Sequence, residues 1–220
     1  MLPEKYKALS DKQAISKITT LKKECGEKVM ILGHHYQRDE VIRFADRVGD
    51  SLYLSKEAAK STAEYIIFCG VYFMAETADM VTSDSQKVIL PDITAGCPMA
   101  DMAPMKEVEK AWHELEEMGM GDDFVPVTYI NSSADVKAFC GRKDGYVCTS
   151  ANAKVILEKL IRDGKRIFFF PDRYLSTNTA RTMGVDATLW EREKDNGGLS
   201  EDEISSAKIL AWNGYCPVHA

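Results

Sequence analysis

The chain has 220 residues, of which 45% are hydrophobic and 28% charged, and its formal net charge is −6. This is the composition of a globular domain or a pair of small α/β modules. The acidic balance argues against a nucleic-acid partner, which would need a basic face, but leaves room for a small anionic ligand in a locally positive site.

Apolar runs such as 65–71 and 166–171 are strand-length and far too short to span a bilayer. The first 23 residues are mixed and charged, without the apolar centre of a secretory signal. A cytoplasmic protein without a membrane partner is therefore expected. Short apolar runs alternate with helical patterns, the order of βαβ units and a parallel sheet. Residues 11–25 are predicted to form an amphipathic helix, and 28–32 a strand ending at Gly33. Helices are predicted over 39–48 and 51–61, a strand over 63–69, a helix over 73–80, and a strand over 87–90 that leads to a loop carrying Cys97. Residues 102–123 read as a linker, with Trp112, Leu115 and Met118 at helical spacing. The plan then recurs: strand 124–129, helices 134–140 and 150–163, strand 166–170, helix 175–183, and strand 208–212 before a loop carrying Cys216. A polar insert at 191–203 reads as an exposed loop or short helix.

The closing segments of the two halves align. Lys87-Val-Ile-Leu runs on to Gly96-Cys97-Pro98, and Lys208-Ile-Leu-Ala runs on to Tyr215-Cys216-Pro217. An internal repeat follows from the shared element order. The expected organisation is a helical segment over 1–26, a first α/β module over 27–103 and a second over 104–220.

The six cysteines include no CxxC pair, which argues against a zinc ribbon or a thioredoxin motif. Cys69, inside Tyr-Ile-Ile-Phe-Cys-Gly, reads as a buried strand cysteine, and Cys25, Cys140 and Cys148 read as core thiols. Cys97 and Cys216 differ, because each precedes Pro in a loop past a strand. An accessible thiolate there can bind a soft metal, either zinc or part of an iron–sulfur ligand set. Ligands of parallel sheets bind beyond the carboxyl ends of the strands. That rule selects His34, His35 and Tyr36 after the first strand, Tyr129, Ile130 and Asn131 after its counterpart, and His219 in the last loop. Ser51 and Ser150 read equally as helix N-caps and as contacts to an anionic group. Tyr72, Phe73 and Met74 read as helix core, Glu76 and Asp79 as a solvated helix face, and Asp172 as a weaker site candidate.

These residues bring the chain close to a known family. Gly-His-His-Tyr-Gln at 33–37, Val-Gly-Asp-Ser-Leu at 48–52, Ala-Gly-Cys-Pro-Met-Ala at 95–100, Tyr-Ile-Asn-Ser-Ser at 129–133, Thr-Ser-Ala-Asn-Ala at 149–153, Pro-Asp-Arg-Tyr-Leu at 171–175 and Gly-Tyr-Cys-Pro-Val-His at 214–219 occur in the order found in quinolinate synthases. The chain strongly resembles that family from about Ile31 onward. The resemblance implies repeated Rossmann-like three-layer α/β modules with short parallel sheets, two of a pseudo-threefold set of three. Each module would give one cysteine to a [4Fe–4S] cluster, here Cys97 and Cys216, with the third module and its cysteine absent from this chain. The implied reaction condenses iminoaspartate with dihydroxyacetone phosphate to quinolinate in NAD biosynthesis, with an aspartate oxidase as supplier of iminoaspartate. The resemblance places His34, Ser51, Tyr129, Ile130, Asn131 and Ser150 at the substrate, Tyr36 and His34 in proton transfer, and His219 near the cluster. A C-terminally truncated chain, inactive alone, is the corresponding expectation. The competing readings are a mononuclear zinc protein using Cys97, Cys216 and His34 or His219, and a non-catalytic α/β binding module.

Overall fold

In a computed structural model of the chain, residues 3–191 and 199–219 are described. The chain divides into two compact units, Met1–Ala95 and Gly96–Ala220.

The first unit begins with α1 (Glu4–Lys7) and α2 (Asp11–Cys25). A capping box at Ser10 and Gln13 starts α2, and Gly26, at φ 53°, follows its last residue. Then come β1 (Val29–His34), α3 (Asp39–Ile42), β2 (Arg47–Gly49), α4 (Ser51–Lys60), β3 (Tyr65–Cys69), α5 (Tyr72–Val81) and β4 (Lys87–Ile89). The four strands form a sheet of order β2-β1-β3-β4, parallel throughout.

The second unit holds α6 (Met105–Glu117), β5 (Phe124–Tyr129), α7 (Ala134–Arg142), β6 (Tyr146–Cys148), α8 (Ala153–Arg162), β7 (Arg166–Phe170), α9 (Arg173–Thr182), β8 (Ala187–Trp190), α10 (Glu201–Ser206) and β9 (Ile209–Trp212). Its sheet is also parallel, of order β6-β5-β7-β9-β8. Strand alternation shows how it is covered. Ile167, Phe169 and Ile209 join Leu157 and Leu160 of α8 on one face. Phe168, Phe170 and Leu210 join Trp112 of α6 and Phe139 of α7 on the other. The second unit is thus a three-layer module with both faces of its sheet buried.

The repeat holds at the level of register. Val29 pairs with Tyr65 as Phe124 pairs with Arg166, and Ile66 pairs with Val88 as Ile167 pairs with Ile209. His34 lies opposite Gly49 as Tyr129 lies opposite Cys148. Lys87 and Lys208 therefore occupy equivalent positions, and so do Ser51 and Ser150. The second sheet differs by its added edge strand, β8.

Several local expectations are corrected. Residues 39–48 do not form one helix. After α3 the backbone turns, Asp46 Oδ2 accepts from the Ile31 N–H at 2.8 Å, and Arg47 pairs with Leu32. Sheet pairing there overrides local helical spacing. Residues 102–123 are not a linker, because Val108, Ala111, Trp112 and Leu115 of α6 are buried in the second unit's core. The edge strands β2, β6 and β8 are additions to the sequence reading. Cys25 is exposed, at the end of a helix without a buried residue, and Cys69 is half-buried in β3, whereas Cys140 and Cys148 are buried as expected. Phe73 and Met74 are core residues of α5, but Tyr72 is exposed. Of the insert at 191–203, residues 192–198 lie outside the described residues, and α10 begins at Glu201. No helix among the described residues is long and apolar enough to cross a membrane.

Candidate active site

In the first unit the candidate residues sit where β1 and β2 end. The His35 N–H donates to the Gly49 carbonyl at 3.1 Å, and the Gln37 N–H donates to the His34 carbonyl at 2.8 Å, so the chain turns just past the strand. His34 is buried and stacks on His35, with ring centroids 4.5 Å apart, and the exposed Tyr36 sets its edge against both rings. Burial lowers the His34 pKa, the neighbouring His35 lowers it further, and Asp50 partly offsets both. Ser51 is buried but is not the cap of α4. Asp50 takes that role, accepting from the Tyr53 N–H at 2.8 Å, and Ser51 is the first helical residue.

In the second unit β5 and β6 end the same way. The Ile130 N–H donates to the Cys148 carbonyl at 2.8 Å, as His35 does to Gly49. Ile130 is buried, and its carbonyl accepts from Ser132. Ser150 lies close to the Tyr129 phenol and does not cap α8, where Asn152 stands at the cap position and accepts from the Thr149 N–H. Burial pushes the Tyr129 phenol up to about 12, helped by Cys148, Cys216 and Asp172 and opposed by the Ser150 hydroxyl. Tyr129 is therefore a neutral donor at physiological pH.

Of the two Cys-Pro thiols, Cys97 touches this strand end. Asn131 Nδ2 donates to Cys97 Sγ at 3.9 Å, and Cys216 lies within electrostatic reach of Tyr129. Both cysteines are half-buried. The Cys216 loop is fastened on two sides. Met102 accepts from Trp212 Nε1 through its carbonyl at 2.7 Å and from the Tyr215 N–H through its sulfur at 3.3 Å. The Arg173 N–H donates to the Gly214 carbonyl at 2.8 Å. His219 lies edge-on to Tyr129, with centroids 5.6 Å apart, and its Nδ1 is 2.5 Å from Asp172 Oδ2.

Asp172 is the residue the sequence reading undervalued. It is fully buried and caps α9 through Oδ1. Its position between Pro and the start of a helix signalled the cap, but the partner 47 residues away was beyond any local pattern.

The donor chemistry suits a soft metal centre in part. Cys97 and Cys216 supply two thiols, but among the described residues no group of three or more His, Cys, Asp or Glu side chains could hold a metal ion. A complete centre therefore needs at least one further ligand. Two cavities of the second unit lie elsewhere: about 620 Å³ between α9 and β8, lined by Arg173, Thr177 and Arg181 among others, and about 480 Å³ around Trp112, Phe124 and Asp163. Neither is lined by Tyr129, Asn131 or the two thiols. The strand ends remain the candidate site, because polar side chains gather there and because α/β sheets bind ligands there.

Comparison with known proteins identifies the family. Residues 16–220 match the family described as Quinolinate synthetase A protein. The chain is 50% identical over 221 residues to a quinolinate synthase of Nocardioides sp., covering 96% of this chain and 56% of the relative. It is 48% identical over 223 residues to the Bacillus subtilis quinolinate synthase and 49% identical over 223 residues to that of Corynebacterium glutamicum, covering all of this chain but 60% and 57% of those proteins. The chain thus spans under two thirds of the length of these relatives.

Proposed function

Because the chain belongs to the Quinolinate synthetase A family, we propose that it serves a quinolinate synthase, condensing iminoaspartate with dihydroxyacetone phosphate in NAD biosynthesis. The observation that carries this reading is Cys97 beside Asn131, with the Cys216 loop reaching the same strand through His219, which bonds to the Cys216 carbonyl and lies edge-on to Tyr129. In this reading Cys97 and Cys216 are two thiolate ligands of a [4Fe–4S] cluster, which as a Lewis acid would ease loss of a substrate hydroxyl as water.

The chain's own residues then have defined tasks. Tyr129 keeps its proton, because burial holds its pKa at about 12, and it donates to an anionic substrate group. Asn131 adds an amide donor beside Cys97. Ser51 and Ser150, equivalent in the repeat, each offer a hydroxyl at a strand end. His34 is neutral at physiological pH because burial lowers its pKa, so it can accept a proton, and the exposed Tyr36 phenol against its ring is the partner in transfer. The six free cysteines suit a reducing cytoplasm. Small-molecule substrates are the partners in this reading, with an aspartate oxidase as the source of iminoaspartate.

The test is anaerobic reconstitution with iron and sulfide of a protein of the relatives' full length, assayed with both substrates. Cys97→Ala or Cys216→Ala should abolish cluster retention and quinolinate formation together. A colourless protein carrying one zinc, or variants that keep their cluster, would overturn the reading.

A further inference from the structure

We propose that Asp172 is a positioning residue that fixes the ring tautomer of His219, so that the imidazole carries its proton on Nδ1 and presents Nε2 as an acceptor. The tautomer assignment stands on the second unit alone; its use in catalysis rests on the quinolinate synthase reading.

Asp172 is fully buried, and a buried carboxylate is tolerated only when its oxygens are compensated. Oδ1 accepts the backbone N–H groups of Tyr174 at 2.8 Å and Leu175 at 3.2 Å. Oδ2 meets His219 Nδ1 at 2.5 Å. A carboxylate can only accept, so Nδ1 must be the donor, and in the neutral ring Nε2 then bears the lone pair.

Capping alone does not explain the arrangement. Val71 precedes α5, the equivalent helix of the first unit, and makes no side-chain cap there. Ser133 caps α7 without a charge. A cap also needs one acceptor oxygen, whereas here a second, buried oxygen is aimed at an imidazole.

The backbone holds both partners in place. Asp172 bridges to Gly214 in parallel, and a Cβ on Gly214 would stand 2.4 Å from the Pro171 carbonyl oxygen, so only glycine permits this approach. The His219 N–H donates to the Cys216 carbonyl at 3.0 Å, and the His219 carbonyl accepts from Asn178 Nδ2 at 3.1 Å. The ring itself is therefore oriented from three sides: Asp172, Tyr129 and its own backbone. A carboxylate that orients an imidazole in this way determines which ring nitrogen can accept a hydrogen bond from a ligand hydroxyl or amine.

The experiment is a long-range ¹⁵N–¹H correlation spectrum of the histidine-labelled chain, in mildly alkaline buffer where an ordinary imidazole is neutral. His219→Gln assigns the resonance among the four histidines. The wild-type chain should show His219 as the Nδ1–H tautomer, with a strongly downfield Nδ1 proton. In Asp172→Asn the amide oxygen can still cap α9 while the amide nitrogen donates to Nδ1, so the signal should switch to the Nε2–H tautomer. A wild-type Nε2–H signal, an averaged pair of nitrogens, or an unchanged tautomer in a folded Asp172→Asn chain overturns the proposal. The wild-type spectrum decides even if the variant fails to fold, and it needs neither cluster nor substrate, so loss of the quinolinate synthase reading leaves it interpretable. In full-length enzyme, Asp172→Asn should lower kcat on the order of 10²-fold with KM little changed. A switched tautomer with unaltered kcat would refute the catalytic use of His219 and leave the positioning intact.

Discussion

Two side chains at equivalent strand ends, His34 and Tyr129, are each held in the neutral form by burial, and each leaves a signature in the pH dependence of stability. The His34 pKa is depressed below 6.5 when folded. The unfolded chain then binds more protons just below that value, so the contribution is fully present above about pH 6.5 and is lost as pH falls through the folded pKa. His34→Gln should flatten this part of the acid limb, read as urea midpoint against pH. Tyr129 has the opposite sign. Its pKa is 10.0 in the reference state and about 12 when folded, so native protein keeps a proton that unfolded chains release, and stability falls as pH rises between those values. Tyr129→Phe should therefore lose less stability than the parent across that alkaline window, read as urea midpoint against pH. Thiol accessibility offers a third check. Cys25 is exposed, while burial pushes the Cys140 and Cys148 thiols up to about 12. Iodoacetamide should therefore alkylate Cys25 in the native chain and reach Cys140 and Cys148 only on unfolding, as mapped by peptide mass spectrometry.

Among the elements, the edge strands decide where the polar strand ends come to lie. β6 is three residues long, yet its pairing with β5 sets Cys148 opposite Tyr129 and so brings Ser150 to the phenol. The turn into β6 depends on Gly145, where a Cβ would stand 2.2 Å from the Pro126 carbonyl oxygen and 2.9 Å from that of Cys140. Both obstacles are backbone, so relief requires moving β5 or the end of α7. Gly145→Ala should destabilise the chain by about 1–3 kcal/mol, measured by urea unfolding, and should shift the amide resonances of Tyr129 and Ser150. Unchanged spectra would show that β6 does not govern the site. Elements with strong local signals were legible from sequence: α2, β5 and β7 fall at the predicted residues, because a capping box and continuous apolar runs are local features. β2, β6 and β8 were not, because Arg-Val-Gly, Tyr-Val-Cys and Ala-Thr-Leu-Trp are weak strand signals, and these edge strands are set by pairing with a neighbour's backbone.

At the level of the whole molecule, a duplicated parallel module accounts for the spacing of the candidate residues. The same four-strand order and register recur, so His34 and Tyr129, and Ser51 and Ser150, are structural counterparts carrying different chemistry. Repetition supplies the scaffold, and divergence at strand ends supplies function. With no group of three potential ligands among the described residues, the 220-residue chain should not hold a stable four-iron cluster after anaerobic reconstitution, nor form quinolinate at a useful rate. Iron and sulfide analysis with a product assay checks this, and robust turnover by the chain alone would contradict it.

Sequence by itself determined the α/β class, the order of the main elements and the internal repeat, because apolar periodicity, caps and glycine stops act over a few residues. It also marked Cys97, Cys216, His34 and Tyr129 as strand-end residues, since parallel sheets place their polar loops by rule. Tertiary structure decided the rest. It made α6 part of a core instead of a linker, exposed Cys25 while burying Cys140, gave the α4 cap to Asp50, and set Ser150 near the half-buried Tyr129 phenol. It also joined Asp172 to His219 across 47 residues. Such outcomes depend on which surfaces meet when distant segments pack, and the free energy of those contacts has no trace in local composition.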